Sequence, residues 1–433
     1  MAPTVQLHPS RTLGELMRLT RVVALVSLTA SLSHAGETSP QPETIQQLVQ
    51  QVKDLQERVK ALESQQASAA VKPEERPRGE NAAWAQDAAS RHEPDLLHQV
   101  RGIQWHGFGE VDYKALDQRK PELGTFGFVP GSAGNFYTGD FDLLLTSRIT
   151  DKASVLAELV FGEQNAQTFG IDLERVLFQY DWNDHLKMSF GRYHTGIGYY
   201  NTAFHSGSWL QTMADRPLAV EFAADGGPLP TQAVGIAVTG EIPSGRFGLN
   251  YIAEYGSSDT VRPELNGTAI DDENNGNHIN IGLYARPDSF PALQLGGSFY
   301  HDRISDFSRG PSVRLGQSIA NAHVVYNGHG IEFLNEVFLI RHAYEDSRTL
   351  FNMPAFYSQI SRRFGHLRPF VRYQYINANP GSVFQDISLR RGPSFGARYD
   401  FDDYIAFKTQ LDHILRSGQP DLNGLHLQLA FTF

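Results

Sequence analysis

From residue 102 onward, apolar and polar side chains alternate with a period of two. Leu425, Leu427, Leu429, Phe431 and Phe433 alternate with His426, Gln428, Ala430 and Thr432. Successive side chains of an extended strand point to opposite faces, so the odd positions form one apolar face. Ile103, Trp105, Val111 and Tyr113 oppose Gln104, His106, Glu110, Asp112 and Lys114 in the same way. Phe141, Leu143 and Leu145 oppose Asp140, Asp142 and Thr146; Val155, Ala157, Leu159 and Phe161 oppose Ser154 and Glu158. Val176, Phe178 and Tyr180 oppose Arg175, Gln179 and Asp181. Late in the chain, Val371, Tyr373 and Tyr375 oppose Arg372 and Gln374, while Phe395, Ala397 and Tyr399 oppose Arg398. Ile405, Phe407 and Leu411 oppose Lys408, Gln410 and Asp412. Charges therefore fall almost entirely on one parity.

The connections alternate in length. Short turns are expected at 150–152, 183–184, 243–244, 287–289, 327–330, 365–366 and 402–403, and longer polar stretches at 115–135, 256–277, 303–316, 342–355 and 377–391. Short turns at one end and long loops at the other are the asymmetry of outer-membrane barrels. The pattern predicts an all-β body over 102–433, an antiparallel transmembrane β-barrel of about 16 strands. A soluble sandwich would show the same alternation with its apolar faces turned inward. A secretion signal, the absence of cysteine, aromatic strand ends and the final Phe433 favour the lipid arrangement. A lumen of this size is too wide for side chains to fill and should hold water.

The first 101 residues differ in kind. They hold one of the 48 aromatics, Trp84, and three of the 39 glycines. Arg11, Arg18 and Arg21 precede the apolar run Val22 to Leu32, and Ser33-His34-Ala35 offers a cleavage site, so 1–35 reads as a signal peptide with Met17 as an alternative start. Over 36–63, Ile45, Leu48, Val52, Leu55, Val59 and Leu62 form a heptad seam with β-branched residues at a and Leu at d. That spacing predicts a short α-helical coiled coil, dimeric by its own preference and open to trimerisation beside a trimeric body. Residues 64–101, rich in Ala, Pro, Glu and Gln, read as a flexible linker.

Composition narrows the function. The 433 residues carry 37 Lys+Arg and 48 Asp+Glu, a net charge of -11, and no long basic run, which argues against nucleic acid as a partner. Cysteine is absent, which removes disulfides, thiolate metal sites and Cys nucleophiles. No apolar run is long enough for a transmembrane helix, whereas strands of alternating polarity escape that criterion. No G-x-S-x-G, H-E-x-x-H or P-loop pattern occurs, and the 16 histidines are scattered, so neither an enzyme nor a cofactor is expected. The acidic stretch Asp271 to Gly276 lacks the spaced ligands of a calcium loop and reads as a solvated turn.

One segment breaks the alternation. Residues 191–232 are long, aromatic and rich in Gly and Pro, which suits a loop folded into the lumen as a constriction or, failing that, packed on a neighbouring subunit. Its candidate pore-lining residues are Arg192, His194, His205, Asp215, Arg216, Glu221 and Asp225. Inward parity on the early strands adds Glu110, Asp112, Asp140, Asp142, Glu158 and Arg175, and on later strands Arg286, Arg372 and Arg398. An acidic arc and an arginine arc would then meet across the seam that closes the barrel, and such a field sets the selectivity of a pore.

With these features the chain resembles the phosphate-selective porin O/P-like family. The Ile45–Leu62 heptads, Phe190-Gly191-Arg192-Tyr193 before a long loop, Arg216-Pro217 and Gly226-Gly227 within it, and Leu425–Phe433 carry the resemblance. It implies a homotrimeric outer-membrane channel for passive diffusion of small hydrophilic or anionic solutes, phosphate or other oxyanions among them. The coiled coil would then lie in the periplasm, where cell-wall contact is open to it. The chain departs from phosphate-binding members because its long loop contains Arg216 but no Lys, beside Asp215, Glu221 and Asp225. Competing readings are a structural tether or adhesin anchored by the barrel, and an enzyme borne on a barrel.

Overall fold

The two-residue period becomes strand after strand, each paired antiparallel with the next. In order these are β1 (Gly102–Leu116), β2 (Ala133–Arg148), β3 (Ala153–Asn165), β4 (Thr168–Asn183), β5 (Leu186–His194), β6 (Gln232–Ile242), β7 (Leu249–Ser258) and β8 (His278–Ala285). They continue as β9 (Leu293–Ser305), β10 (Arg314–Gly328), β11 (Ile331–Tyr344), β12 (Leu350–Arg362), β13 (Leu367–Asn377), β14 (Leu389–Asp400), β15 (Ile405–Arg416) and β16 (Leu422–Thr432). β1 pairs with β16, so the sheet closes as a barrel of sixteen strands, the number expected from the pattern. Closure leaves no unpaired edge, which a sheet in hydrocarbon requires. No helix among the described residues is long and apolar enough to cross a membrane.

The computed structural model describes residues 102–117, 133–165, 168–204, 207–222, 227–258, 277–306, 309 and 313–433. The expected signal peptide, coiled coil and linker, and the acidic stretch at 271–276, lie outside these residues.

The closing seam depends on small residues beneath large ones. Gly107 and Phe433 exchange two backbone hydrogen bonds of 3.0 Å each. The Phe433 ring lies over Gly107, where an added Cβ would stand 2.1 Å from its Cζ. It also stacks on Phe141, with ring centroids 5.7 Å apart. Gly109 lies under Phe431 in the same manner. The final aromatic thus fastens the first strand to the last on the outward face.

Burial follows the alternation. Ile103, Phe141, Phe178, Ile281, Phe299, Val337, Val371, Phe395 and Leu429 are exposed on the outward series. Gln179, Glu254, Gln317, Gln359, Arg372, Lys408 and Gln428 are buried on the inward series. The inward face is not uniformly polar. β10 to β13 also turn Ile319, Phe338, Ile340, Tyr357 and Ile376 inward, in a cluster with Tyr199, Tyr200, Phe204 and Val220 of the long 195–231 connection. The polar loop expected at 342–355 is corrected for the same reason. Met353, Ala355 and Tyr357 continue β12 into this interior cluster, and only a short connection separates β11 from β12.

Candidate pore constriction

The 195–231 connection leaves β5 and returns to β6 through a narrow neck. Thr195 donates its N–H to the Thr231 carbonyl at 2.9 Å and its hydroxyl to the Pro230 carbonyl at 2.6 Å. The Asn201 amide ties both strands of the neck, donating to the Thr195 carbonyl at 2.9 Å and to that of Thr231 at 3.0 Å. Between them run a single helical turn, α1 (Tyr199–Ala203), and two 3-10 turns, Ser208–Leu210 and Leu218–Val220.

A buried irregular backbone must find partners for its N–H and C=O groups. Here the barrel wall supplies both kinds. Glu336 accepts the N–H groups of Tyr199 at 2.7 Å and Tyr200 at 2.8 Å, the orphan donors at the start of α1, and the Tyr357 hydroxyl at 2.6 Å. Glu254 accepts from the Gly196 N–H at 2.8 Å. Gln374 accepts from Leu218 at 3.0 Å, and Gln410 from Ala214 at 3.1 Å. The loop's carbonyls meet cations. Lys408 Nζ donates to Ser208 at 2.5 Å and Met213 at 3.1 Å. Arg398 Nη1 donates to Trp209 at 2.6 Å and Gln211 at 2.9 Å. Arg372 reaches Asp215 at 3.0 Å and Arg216 at 3.1 Å. Apolar contact completes the seat, with Trp209 stacked on Phe108 of β1 at 6.4 Å.

The loop tip is tied electrostatically at the closing seam. The Asp215 carboxylate accepts from Lys114 Nζ of β1 at 2.9 Å and lies 3.1 Å from His426 Nδ1 of β16. His426 Nε2 lies 2.7 Å from Asp112. Burial alone would raise the Asp215 carboxyl, but the charges and hydrogen bonds of Lys114 and His426 outweigh it and hold the group well below the usual carboxylate range.

The sequence-derived candidates separate in the structure. Asp215, Arg216, Arg372 and Arg398 come together in the loop seat. Arg216 lies within the loop, donating Nε to the Val220 carbonyl at 2.8 Å and covering the Phe222 ring at 4.0 Å. Glu221 stands half-buried beside it. Glu110, Asp112, Asp142 and Glu158 fall on neighbouring inward positions of β1 to β3, with Asp140 exposed at the bulge opposite Glu110. Arg175 is buried against Glu158 at 2.5 Å, and His194 lies 3.6 Å from Glu174. Arg286 stands apart, near the short-turn mouth, where it bonds Gln294 at 2.9 Å and lines a cavity of about 480 Å³ with Lys187, Glu241 and Asn250. His205 and Asp225 lie outside the described residues.

One correction follows. Arg192 is not in the lumen: it shares its register with Val176 and Val234, which are 39% and 50% exposed on the outward series. Arg372 and Arg398 lie on the inward wall, where their guanidinium groups donate to loop carbonyls. Sequence reasoning missed Glu336, Glu254, Gln374, Lys408, Gln410 and His426 as anchors. The inward parity of Gln374, Lys408, Gln410 and His426 was visible, but which inward groups meet the loop depends on how it folds.

No protein-family model matches the chain, and no curated protein matches its sequence. Solved structures do match in shape. The outer membrane channel DcaP of Acinetobacter baumannii superposes with a TM-score of 0.52 at 9% identity, over 78% of this chain and 100% of that one. An anion-selective porin from Comamonas acidovorans gives 0.52 at 10% identity, covering 77% and 99%. The fold is that of outer-membrane porins. A trimer form of OmpT, an outer membrane protein of Vibrio cholerae, gives 0.51 at 12% identity, covering 77% and 100%. At such identities the likeness concerns the fold, and the phosphate-selective branch of the resemblance rests on sequence features alone.

Proposed function

We propose that the protein is an outer-membrane porin, a water-filled channel for passive diffusion of small hydrophilic or anionic solutes, assembled as a homotrimer. The observation that carries this reading is the 195–231 loop, folded inside a closed barrel and bound through both its N–H and its C=O groups. Such a loop narrows a lumen without sealing the barrel to lipid. Transport of this kind uses shape and field rather than a catalytic group.

The field has a direction. A guanidinium that donates to a neutral carbonyl keeps its charge, so Arg372 and Arg398 leave the β13–β15 wall positive. Arg368 adds to it, offset by Glu332 at 3.7 Å, and Asp400 offsets Arg398 at 2.6 Å. Across the lumen the β1–β3 wall places the carboxyl groups of Glu110, Asp112, Asp142 and Glu158, with His426 against Asp112 and Arg175 against Glu158. A transverse field across a narrow pore orients dipolar solutes, and the cationic wall supports passage of oxyanions such as phosphate. The trimer form of one structural neighbour supports the oligomeric state. The heptads at Ile45–Leu62 support a trimer-associated coiled coil on the periplasmic side, following a cleaved signal peptide.

The test is swelling of proteoliposomes that contain the purified full chain. Swelling in small neutral and anionic solutes, cut off with increasing solute size, is expected. Vesicles no more permeable than protein-free controls would refute the channel.

A further inference from the structure

The outward face of β9 to β15 carries a charge pattern that pore formation does not use. Its outward positions hold no Asp or Glu at all. They do hold His301, Arg303, Arg314, Arg341, Arg391 and His413, all exposed and all within four residues of the strand ends that meet the 306–313, 345–349, 378–388 and 417–421 connections, against a single outward cation at the other end, Arg362, which covers the Phe364 ring. At the opposite, short-turn end the exposed rim is aromatic: Phe290, Phe364, Tyr399, Phe401 and Tyr404. The apolar band lies between. Arg341 and Phe333 are eight residues apart on β11, roughly 20 Å along the barrel axis at the usual rise and tilt. That separation puts the cations at the polar boundary of one leaflet while the aromatic girdle marks the other.

These cations are not all used within the protein. Arg303 pairs with Glu345 at 2.8 Å. Among the described residues, no carboxylate lies within ion-pair distance of Arg314, Arg341 or Arg391. His301, Ser318 and Arg341 lie in register across β9, β10 and β11, and His301 Nδ1 is 2.9 Å from the Ser318 hydroxyl. Two strand spacings separate His301 from Arg341, about 10 Å, which matches one large headgroup rather than one ion. Uncompensated guanidinium groups at the edge of an apolar band favour phosphate esters, which they bind in a forked geometry. On the β1 to β8 half, the corresponding rim mixes signs, with Asp172 beside Arg192.

We propose that the long-connection rim of β9–β15 binds the phosphate-bearing headgroup of an anionic membrane lipid. This rests on the membrane-barrel reading above. It makes the β9–β15 half the lipid-facing side of the assembly and leaves the β1–β6 half for neighbouring subunits.

The test uses the full chain in neutral detergent, with retained lipid read by native mass spectrometry. The probes are bis-phosphorylated lipid A and its dephosphorylated form. The wild type should retain the phosphorylated probe at least tenfold better. Removing the charge of Arg314, Arg341 and Arg391 together (R314Q, R341Q and R391Q) should weaken retention about 100-fold, near fivefold per arginine, whereas Arg362→Gln at the short-turn rim should leave it unchanged. Equal retention of the two probes, or an unaffected triple variant, overturns the proposal. Displacement by equimolar inorganic phosphate also overturns it, because the site would then serve free phosphate. Should the triple variant not fold, the wild type decides: its preference must fall steeply between 0.05 and 0.5 M NaCl, about the range over which screening becomes strong, and a preference that persists overturns the proposal. Failure to insert into plain phosphatidylcholine vesicles would refute the membrane barrel itself, and the rim proposal with it.

Discussion

Glu336 offers the sharpest perturbation of the loop seat. It is 1% exposed and accepts from Tyr199 N–H, Tyr200 N–H and the Tyr357 hydroxyl. Glu336→Ala leaves these three donors without their acceptor in the barrel interior. Each orphaned buried donor costs about 1–3 kcal/mol, less where water enters, so the seat loses about 3–6 kcal/mol. The strand ladders on either side of Glu336 use backbone groups, so the barrel should still close. A loss of 3 kcal/mol changes the ratio of seated to unseated loop by more than about 100-fold. Single-channel recording should therefore show larger and noisier conductance for Glu336→Ala. Glu336→Gln, which keeps one acceptor oxygen, should lie between it and the wild type. A heat-modifiable, folded Glu336→Ala barrel with wild-type conductance and noise would refute this account of the loop's anchoring.

Other expectations test separate parts of the structure. Arg372→Gln removes a charge from the positive wall along with the bonds to Asp215 and Arg216, and should shift the reversal potential in a salt gradient toward cations. Arg192→Glu should not shift it, because Arg192 lies on the outward series. The Asp215 carboxyl is depressed, so its contribution to loop seating is complete above the ordinary carboxylate range and lost only as pH falls through its lowered value. Conductance should thus stay constant from neutral pH down into mild acid, and Lys114→Met should move the acid transition upward, as seen in a conductance–pH series. Gly107→Val puts side-chain atoms where the Phe433 ring lies and should lower the heat-modifiability midpoint of the folded barrel, a cost of about 1–3 kcal/mol.

Much of the barrel was legible because lipid and lumen impose opposite demands on alternate residues. Where only those two demands act, as in Leu425–Phe433 or Val176–Trp182, the strand can be read directly. From β10 to β12 a third demand intervenes. Ile319, Phe338, Ile340 and Tyr357 face inward to pack the loop, both faces become apolar, and the period weakens. The short connection between β11 and β12 was hidden in the same way. The loop itself was visible as an interruption, Asp215 and Arg216 as its charges, and Arg372 and Arg398 as inward charges of the facing wall. Their roles were not recognised, because a sequence does not show that an inward arginine will spend its donors on backbone carbonyls. Arg192 was misplaced because it was counted with the 191–232 segment, whereas β5 continues through it to His194 and keeps it on the outward series of Phe190.

The loop's place inside the lumen can be tested with one thiol, since the chain has no cysteine of its own. Asp215→Cys puts that thiol at the loop tip, beside the closing seam. A cationic methanethiosulfonate reagent added during planar-bilayer recording should reduce the conductance of this variant in discrete steps and leave the wild type unchanged. Complete labelling with no change in conductance would place the tip outside the ion path and contradict the constriction.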